Sequence, residues 1–186
     1  MQAYLISAGL VALAEIGDRT QILSILLAAR YRKPLPIIAG ILVATVANHL
    51  MAAALGSFAG GLLHGPWVKW ILGAAFIGFA FWTLVPDKLE EDDRPRSHGS
   101  VFVTTVVTFF MAEMGDKTQI VTIALGARFH EILWVAAGTT TGMLIANVPA
   151  VYIGEMAATR LPVKPLRFVA AAALFAQGIW VLVSKG

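Results

Sequence analysis

Cysteine is absent from the chain, which excludes disulfides, thiolate nucleophiles and thiolate-bound soft metals. Charge is scarce as well: Asp, Glu, Lys and Arg make up 13% of 186 residues, against 58% hydrophobic, and mean hydropathy is +0.77. Four stretches hold none of those charged residues: Leu35 to Leu63, Trp70 to Pro86, Ile132 to Gly154 and Phe168 to Ser184. A spanning helix needs about 17–25 mainly apolar residues, so each stretch can cross a bilayer. No concentrated basic patch accompanies the net charge of +3; the cations sit at helix ends, where topology places them. The expected partner is therefore the lipid bilayer, and nucleic acid is not expected. A basic region before the first apolar stretch is also missing, since the chain opens Met1-Gln2-Ala3. Ala12-Leu13-Ala14 is accordingly not expected to be a signal-peptide cleavage site.

What is present is a duplication. Eleven of the eighteen residues from Ala14 to Tyr31 recur unchanged ninety-eight positions later, from Ala112 to Phe129. Each copy opens with a charged cluster in an apolar segment. The first reads Glu15-Ile16-Gly17-Asp18-Arg19-Thr20-Gln21, the second Glu113-Met114-Gly115-Asp116-Lys117-Thr118-Gln119. Charges at membrane depth are costly and usually mark an ion or substrate path. Two copies, one per half, point to a transporter with its site at the repeat interface.

The two motif segments bring the expected spans to six, near 3–29, 35–61, 67–86, 100–128, 132–155 and 166–184. The predicted fold is an all-α integral membrane protein. Residues 1–86 form one three-helix repeat, 87–99 an acidic connection, and 100–186 a second three-helix repeat. Prolines fall in the connections (Pro34, Pro36, Pro66, Pro162 and Pro165), and Trp67, Trp70, Trp82, Trp134 and Trp180 lie near predicted ends, as an aromatic belt requires. Three helices per repeat put the second half in the membrane upside down, an inverted repeat. Nine Lys and Arg fall on the side of the first, third and fifth connections (Arg30, Arg32, Lys33, Lys88, Arg94, Arg96, Arg160, Lys164, Arg167) and three on the other (Lys69, Arg128, Lys185). Both termini are thus expected outside the cytoplasm and the acidic connection inside it.

On a straight helix Glu15, Asp18 and Arg19 share one face, with Gln21 beside Asp18 and Thr20 on the far side. Glu113, Asp116, Lys117 and Gln119 repeat the pattern, with Thr118 in Thr20's place. Inversion would bring the faces together near the midplane, where four carboxylates and two cations sum to a charge that one divalent ion neutralises. Hard oxygen donors suit Mn²⁺, Ca²⁺ or Mg²⁺. Gly17 and Gly115 would admit a close helix or free a carbonyl. Thr20, Thr118, Gln21, Gln119, Asn48 and Asn147 are candidate supporting donors.

Plainer readings compete at each position. The pairs Glu15 with Arg19 and Glu113 with Lys117 would serve as helix glue, a reading that two symmetric copies with an acid left over in each disfavour. Asn48 and Asn147, one position out of repeat register, more often hydrogen-bond helix to helix than ligate. His49 is a weaker ligand candidate; His64, His98 and His130 are read as solvated. Thr139, Thr140 and Thr141 are expected to bond back to their own helix. Glu90 to Asp93 reads as a solvated loop.

The doubled Glu-x-Gly-Asp-[Lys/Arg]-Thr resembles the signature of the Gdt-one family, also called UPF-sixteen, over nearly the whole chain. That family includes bacterial manganese exporters, chloroplast manganese transporters and a Golgi manganese/calcium transporter. The resemblance implies secondary transport of Mn²⁺ or Ca²⁺ in exchange for protons, with Glu15, Asp18, Glu113 and Asp116 as cation ligands and no resident cofactor. Without an organellar transit segment, the expected setting is a bacterial inner membrane. A homo-oligomer is compatible with this reading. Two rivals carry less. An intramembrane aspartyl protease needs paired aspartates sharing a proton, and here a cation follows each Asp. An exporter of another small solute, such as an amino acid, has no use for four acids. The sequence also holds no Gly-x-x-x-x-Gly-Lys loop for ATP.

Overall fold

The structure is a computed structural model that describes residues 1–62, 67–85, 98–153 and 163–183. Among them are eight helices and no strand: α1 Gln2–Glu15, α2 Arg19–Tyr31, α3 Pro34–Leu62, α4 Val68–Thr83, α5 Val101–Glu113, α6 Lys117–Phe129, α7 Ile132–Ile153 and α8 Val163–Val183. The predicted second, third, fifth and sixth helices appear within a few residues of their expected ends. The first and fourth do not survive whole. Each is split at its motif, giving α1 with α2 and α5 with α6. Residues 87–97 of the acidic connection, with Lys88, Glu90 to Asp93, Arg94 and Arg96, lie outside the described residues, as do His64, Pro66, Arg160, Pro162 and Lys185.

Two helices, Pro34–Leu62 and Ile132–Tyr152, are long and apolar enough to cross a membrane by themselves. Polarity is arranged inside out. Leu5, Leu55, Phe58, Leu133, Phe168 and Trp180 are exposed, while Glu15, Asp18, Glu113, Asp116, Asn48 and Asn147 are buried. A surface of large apolar side chains around a polar interior is what lipid contact with a protein-lined path requires. All five Trp are exposed, within the first or last turn of α4, α7 and α8 or just before α4.

Each half packs through the other. α1 lies against α7, and α3 against α5 and α6, while α4 pairs with α8. The contacts recur with partners exchanged. Gly40 on α3 meets Thr105 and the Phe102 carbonyl on α5, and Gly138 on α7 meets Ser7 and the Tyr4 carbonyl on α1. These positions differ by ninety-eight throughout, so residue i touching j is matched by j touching i, the mark of a two-fold relation. A Cβ on Gly40 would sit 2.6 Å from the Thr105 Cβ, so glycine is what permits the approach. Two cores form. One holds Leu10, Val11, Phe76, Leu125, Met143 and Leu174; the other holds Leu23, Leu27, Ile37, Ile41 and Phe109.

Candidate functional site

Each motif is a helix break rather than a helix face. α1 ends at Glu15; Ile16 is extended (φ −67°, ψ 116°), and Gly17 takes φ +79°. α5 ends at Glu113 in the same way, with Met114 at φ −65°, ψ 117° and Gly115 at φ +76°. A side chain at such φ is strained, whereas glycine is not. Asp18 and Asp116 then occupy the N-cap positions of α2 and α6, with neither carboxylate bonded to the helix amides. Gln21 Oε1 accepts from the Gly17 amide at 2.8 Å, and Gln119 Oε1 from the Gly115 amide at 2.7 Å. This variant of the capping box satisfies an amide that the break would otherwise orphan. The straight-helix face predicted for Glu15, Asp18 and Arg19 is thereby corrected, because the helix stops before Asp18 and restarts at Arg19. Thr20, placed on the far side by that wheel, is fully buried.

The two breaks meet. One carboxylate oxygen from each of Glu15, Asp18 and Asp116 lies within 4.8 Å of the others, all three residues being buried. The cations pair crosswise. Arg19 Nε stands 3.2 Å from Asp116 Oδ1, and Lys117 Nζ 3.9 Å from Asp18 Oδ1. Arg19 also donates to the Ala112 carbonyl at 2.6 Å, and Lys117 to the Val85 carbonyl at 3.2 Å. Arg19 and Lys117 thus bridge the two halves. Burying a charge costs several kcal/mol unless partners offset it, and the crossed pairs offset two aspartates with two cations.

Glu113 takes a different position from Glu15. The expected meeting of four acids is a meeting of three, with Glu113 outside the group. Its Oε1 instead accepts the Thr45 hydroxyl at 2.6 Å, with Asn48 alongside. Glu15 Oε1 accepts from Asn147 Nδ2 at 3.1 Å, and Asn147 Oδ1 accepts from Ser24 at 2.6 Å. Thr118 donates to Asp116 at 3.1 Å. Gln21 reaches the Ala146 carbonyl at 3.0 Å, and Gln119 bonds Asn48 Oδ1.

Apart from Thr20, whose buried hydroxyl has no hydrogen-bond partner, the singled-out motif residues line the junction, and Asn48 and Asn147 cross between halves as hydrogen-bond donors. His49 is buried with neither ring nitrogen partnered. His130 is an exposed left-handed cap at φ +55°. Thr139 and Thr141 bond back to Val135 and Ala137 at 2.9 and 2.8 Å as expected; Thr140 does not. Ser24 and Thr45 escaped the sequence reading. Ser24 lies inside the repeated segment opposite Thr122, which was the available signal; Thr45 had none.

Buried acids from two halves, bridged by a half-buried Arg19 and a buried Lys117 beneath an apolar exterior, define a membrane protein that handles small cations. Asp18 and Asp116 each pair with a cation, an arrangement a protease dyad lacks. The family model described as "Divalent cation/proton antiporter GDT1" matches residues 3–91 and 101–186, and the chain belongs to that family of transporters. It is not an enzyme family. The chain is 51% identical over 172 residues to a Vibrio cholerae protein named "Putative manganese exporter", covering 92% of this chain and 86% of that one. It is 29% identical to GDT1-like protein 4 of Oryza sativa, covering 86% of this chain and 65% of the rice protein. Against a GDT1-like protein of Synechocystis the identity is 27%, with 86% of each chain covered. No solved structure matches.

Proposed function

We propose that the chain exports Mn²⁺ from a bacterial cytoplasm across the inner membrane in exchange for protons, with Ca²⁺ as the alternative cargo. The observation that carries this reading is the convergence of Glu15, Asp18 and Asp116 from two halves within 4.8 Å. Carboxylate oxygens with Thr and amide donors suit a hard divalent ion. The printed name of the Vibrio relative supports manganese, and the family description supports proton exchange.

Six spans in two inverted repeats, 1–86 and 100–186 joined by a cytoplasmic 87–99, give the site access to either side in turn. Glu15, Asp18 and Asp116 hold the ion, and Glu113 joins them during the cycle. Thr20, Thr118, Gln21, Gln119, Asn48 and Asn147 orient the acids. A bound divalent ion takes over the charge balance now supplied by Arg19 and Lys117, so binding and rearrangement of the crossed pairs are coupled. Protons and metal compete for the same oxygens, because a protonated carboxyl cannot ligate as an anion. With the outside more acidic, exchange runs toward metal export.

Proteoliposomes loaded with a pH-sensitive dye and given a Mn²⁺ gradient test this directly. Metal flux should carry protons the other way and should slow when the pH gradient is collapsed. Metal flux without proton movement would replace the exchanger with a channel or uniporter.

A further inference from the structure

The two halves carry different partners for the same glutamate. Ninety-eight positions separate Glu15 from Glu113, Ser24 from Thr122, Thr45 from Met143, and His49 from Asn147. Around the first break the set is engaged: Asn147 bridges Glu15 and Ser24, and it touches Met143. Around the second break His49, the counterpart of Asn147, bridges nothing. Glu113 bonds Thr45, Thr122 turns back to the Thr118 carbonyl at 2.7 Å, and His49 is fully buried with both ring nitrogens unpartnered. Access differs in the same sense. Met114 and Gly115 at the second break are exposed, while Ile16 and Gly17 at the first are partly covered.

We propose that His49 is the positioning residue that receives Glu113 when the site opens to the opposite side, and that Thr45 holds Glu113 in the state described here. The inference rests on the inverted-repeat reading above. In an inverted pair, exchanging the conformations of the halves equals turning the protein over in the membrane, so it exchanges access. After that exchange Glu113 enters the carboxylate group and needs the support that Asn147 gives Glu15. His49 occupies Asn147's repeat position, with Thr122 in place of Ser24. A buried imidazole offers one donor and one acceptor, enough to bond a carboxylate on one side and a hydroxyl on the other. Burying both nitrogens unpaired is costly, which makes the described arrangement at His49 ready to be relieved. Met143 and Ala146 stand where the first break would need counterparts of Thr45 and Asn48, and neither side chain can donate. The two end states are therefore chemically unequal, and Thr45 and His49 set the balance between them.

The chain's lack of cysteine permits a clean test. Ile16→Cys and Met114→Cys, made separately, report the two breaks through labelling by a membrane-impermeant maleimide on detergent-purified protein, which reaches both sides. Losing one hydrogen bond should shift the state ratio about fivefold. Thr45→Val should raise labelling at Ile16→Cys and lower it at Met114→Cys; His49→Leu should do the reverse. His49→Asn, which installs the residue that serves the first break, should label like the parent. Reconstituted, His49→Leu should lose roughly tenfold in maximal Mn²⁺ flux with little change in KM, and His49→Asn should recover it. Shifts of both reporters in one direction, or His49→Asn behaving like His49→Leu, would overturn the proposal. Opposed shifts in a parent that moves no metal would support it while rejecting the transport reading.

Discussion

At the first break Glu15 bonds Asn147 and stands within the carboxylate group; at the second Glu113 bonds Thr45 and stands outside it. The backbones of the two breaks are nearly identical, with Gly17 and Gly115 differing by three degrees in φ. What differs is supplied from the opposite half. α7 offers Asn147 and Met143 to the first break, whereas α3 offers His49 and Thr45 to the second. Local sequence thus fixes the shape of each break, and the packing partner fixes where its glutamate points. The alternating exchange proposed above would need this combination, since the break must be stable while the engagement must change.

The largest effects should come from the aspartates, which serve both halves alike. Asp18→Asn and Asp116→Asn keep size but remove an anionic ligand. Metal efflux should fall roughly 100-fold or more in each, by comparison with the loss of weaker outer partners. Retained wild-type efflux in both variants would reduce the motif to structural glue. The glutamates should then separate. Glu15→Gln should weaken Mn²⁺ binding about tenfold or more, while Glu113→Gln should leave affinity nearly unchanged and slow turnover. Equal losses of affinity would erase the contrast between the breaks. Gly17→Ala and Gly115→Ala should each cost about 1–2 kcal/mol through the positive φ, read as lowered thermal stability of the purified protein. A larger loss at one break would show that the shared backbone is not equally constrained. Arg19→Lys should be mildest, about a fivefold loss, because Lys117 already fills the equivalent place and only the second hydrogen bond, to Ala112, is lost.

Much of the fold was legible in the sequence because apolar runs of spanning length leave few alternatives, although Pro34, Pro36 and Pro165, read as connection residues, lie instead in the first turns of α3 and α8, where proline is tolerated. The split of the first and fourth predicted helices was not read, since a helical wheel assumes the helix continues. A signal was present nonetheless. Asp18-x-x-Gln21 and Asp116-x-x-Gln119, each preceded by glycine, is a helix-start pattern written twice. The site's members were legible as a doubled charged motif. Their pairing was not, because Arg19 meeting Asp116 and Lys117 meeting Asp18 depends on how the halves cross. Nor could spacing reveal that Thr45 would hold Glu113.

The central claim is that both breaks contribute to one ion site. Counting Mn²⁺ bound to purified protein in lipid nanodiscs, by the loss of free-ion electron paramagnetic resonance signal during titration, tests it most directly. One tight ion per chain is predicted, abolished by Asp18→Asn alone and equally by Asp116→Asn alone. Two tight ions per chain, with each substitution removing only one of them, would contradict a shared site and assign a separate ion to each half.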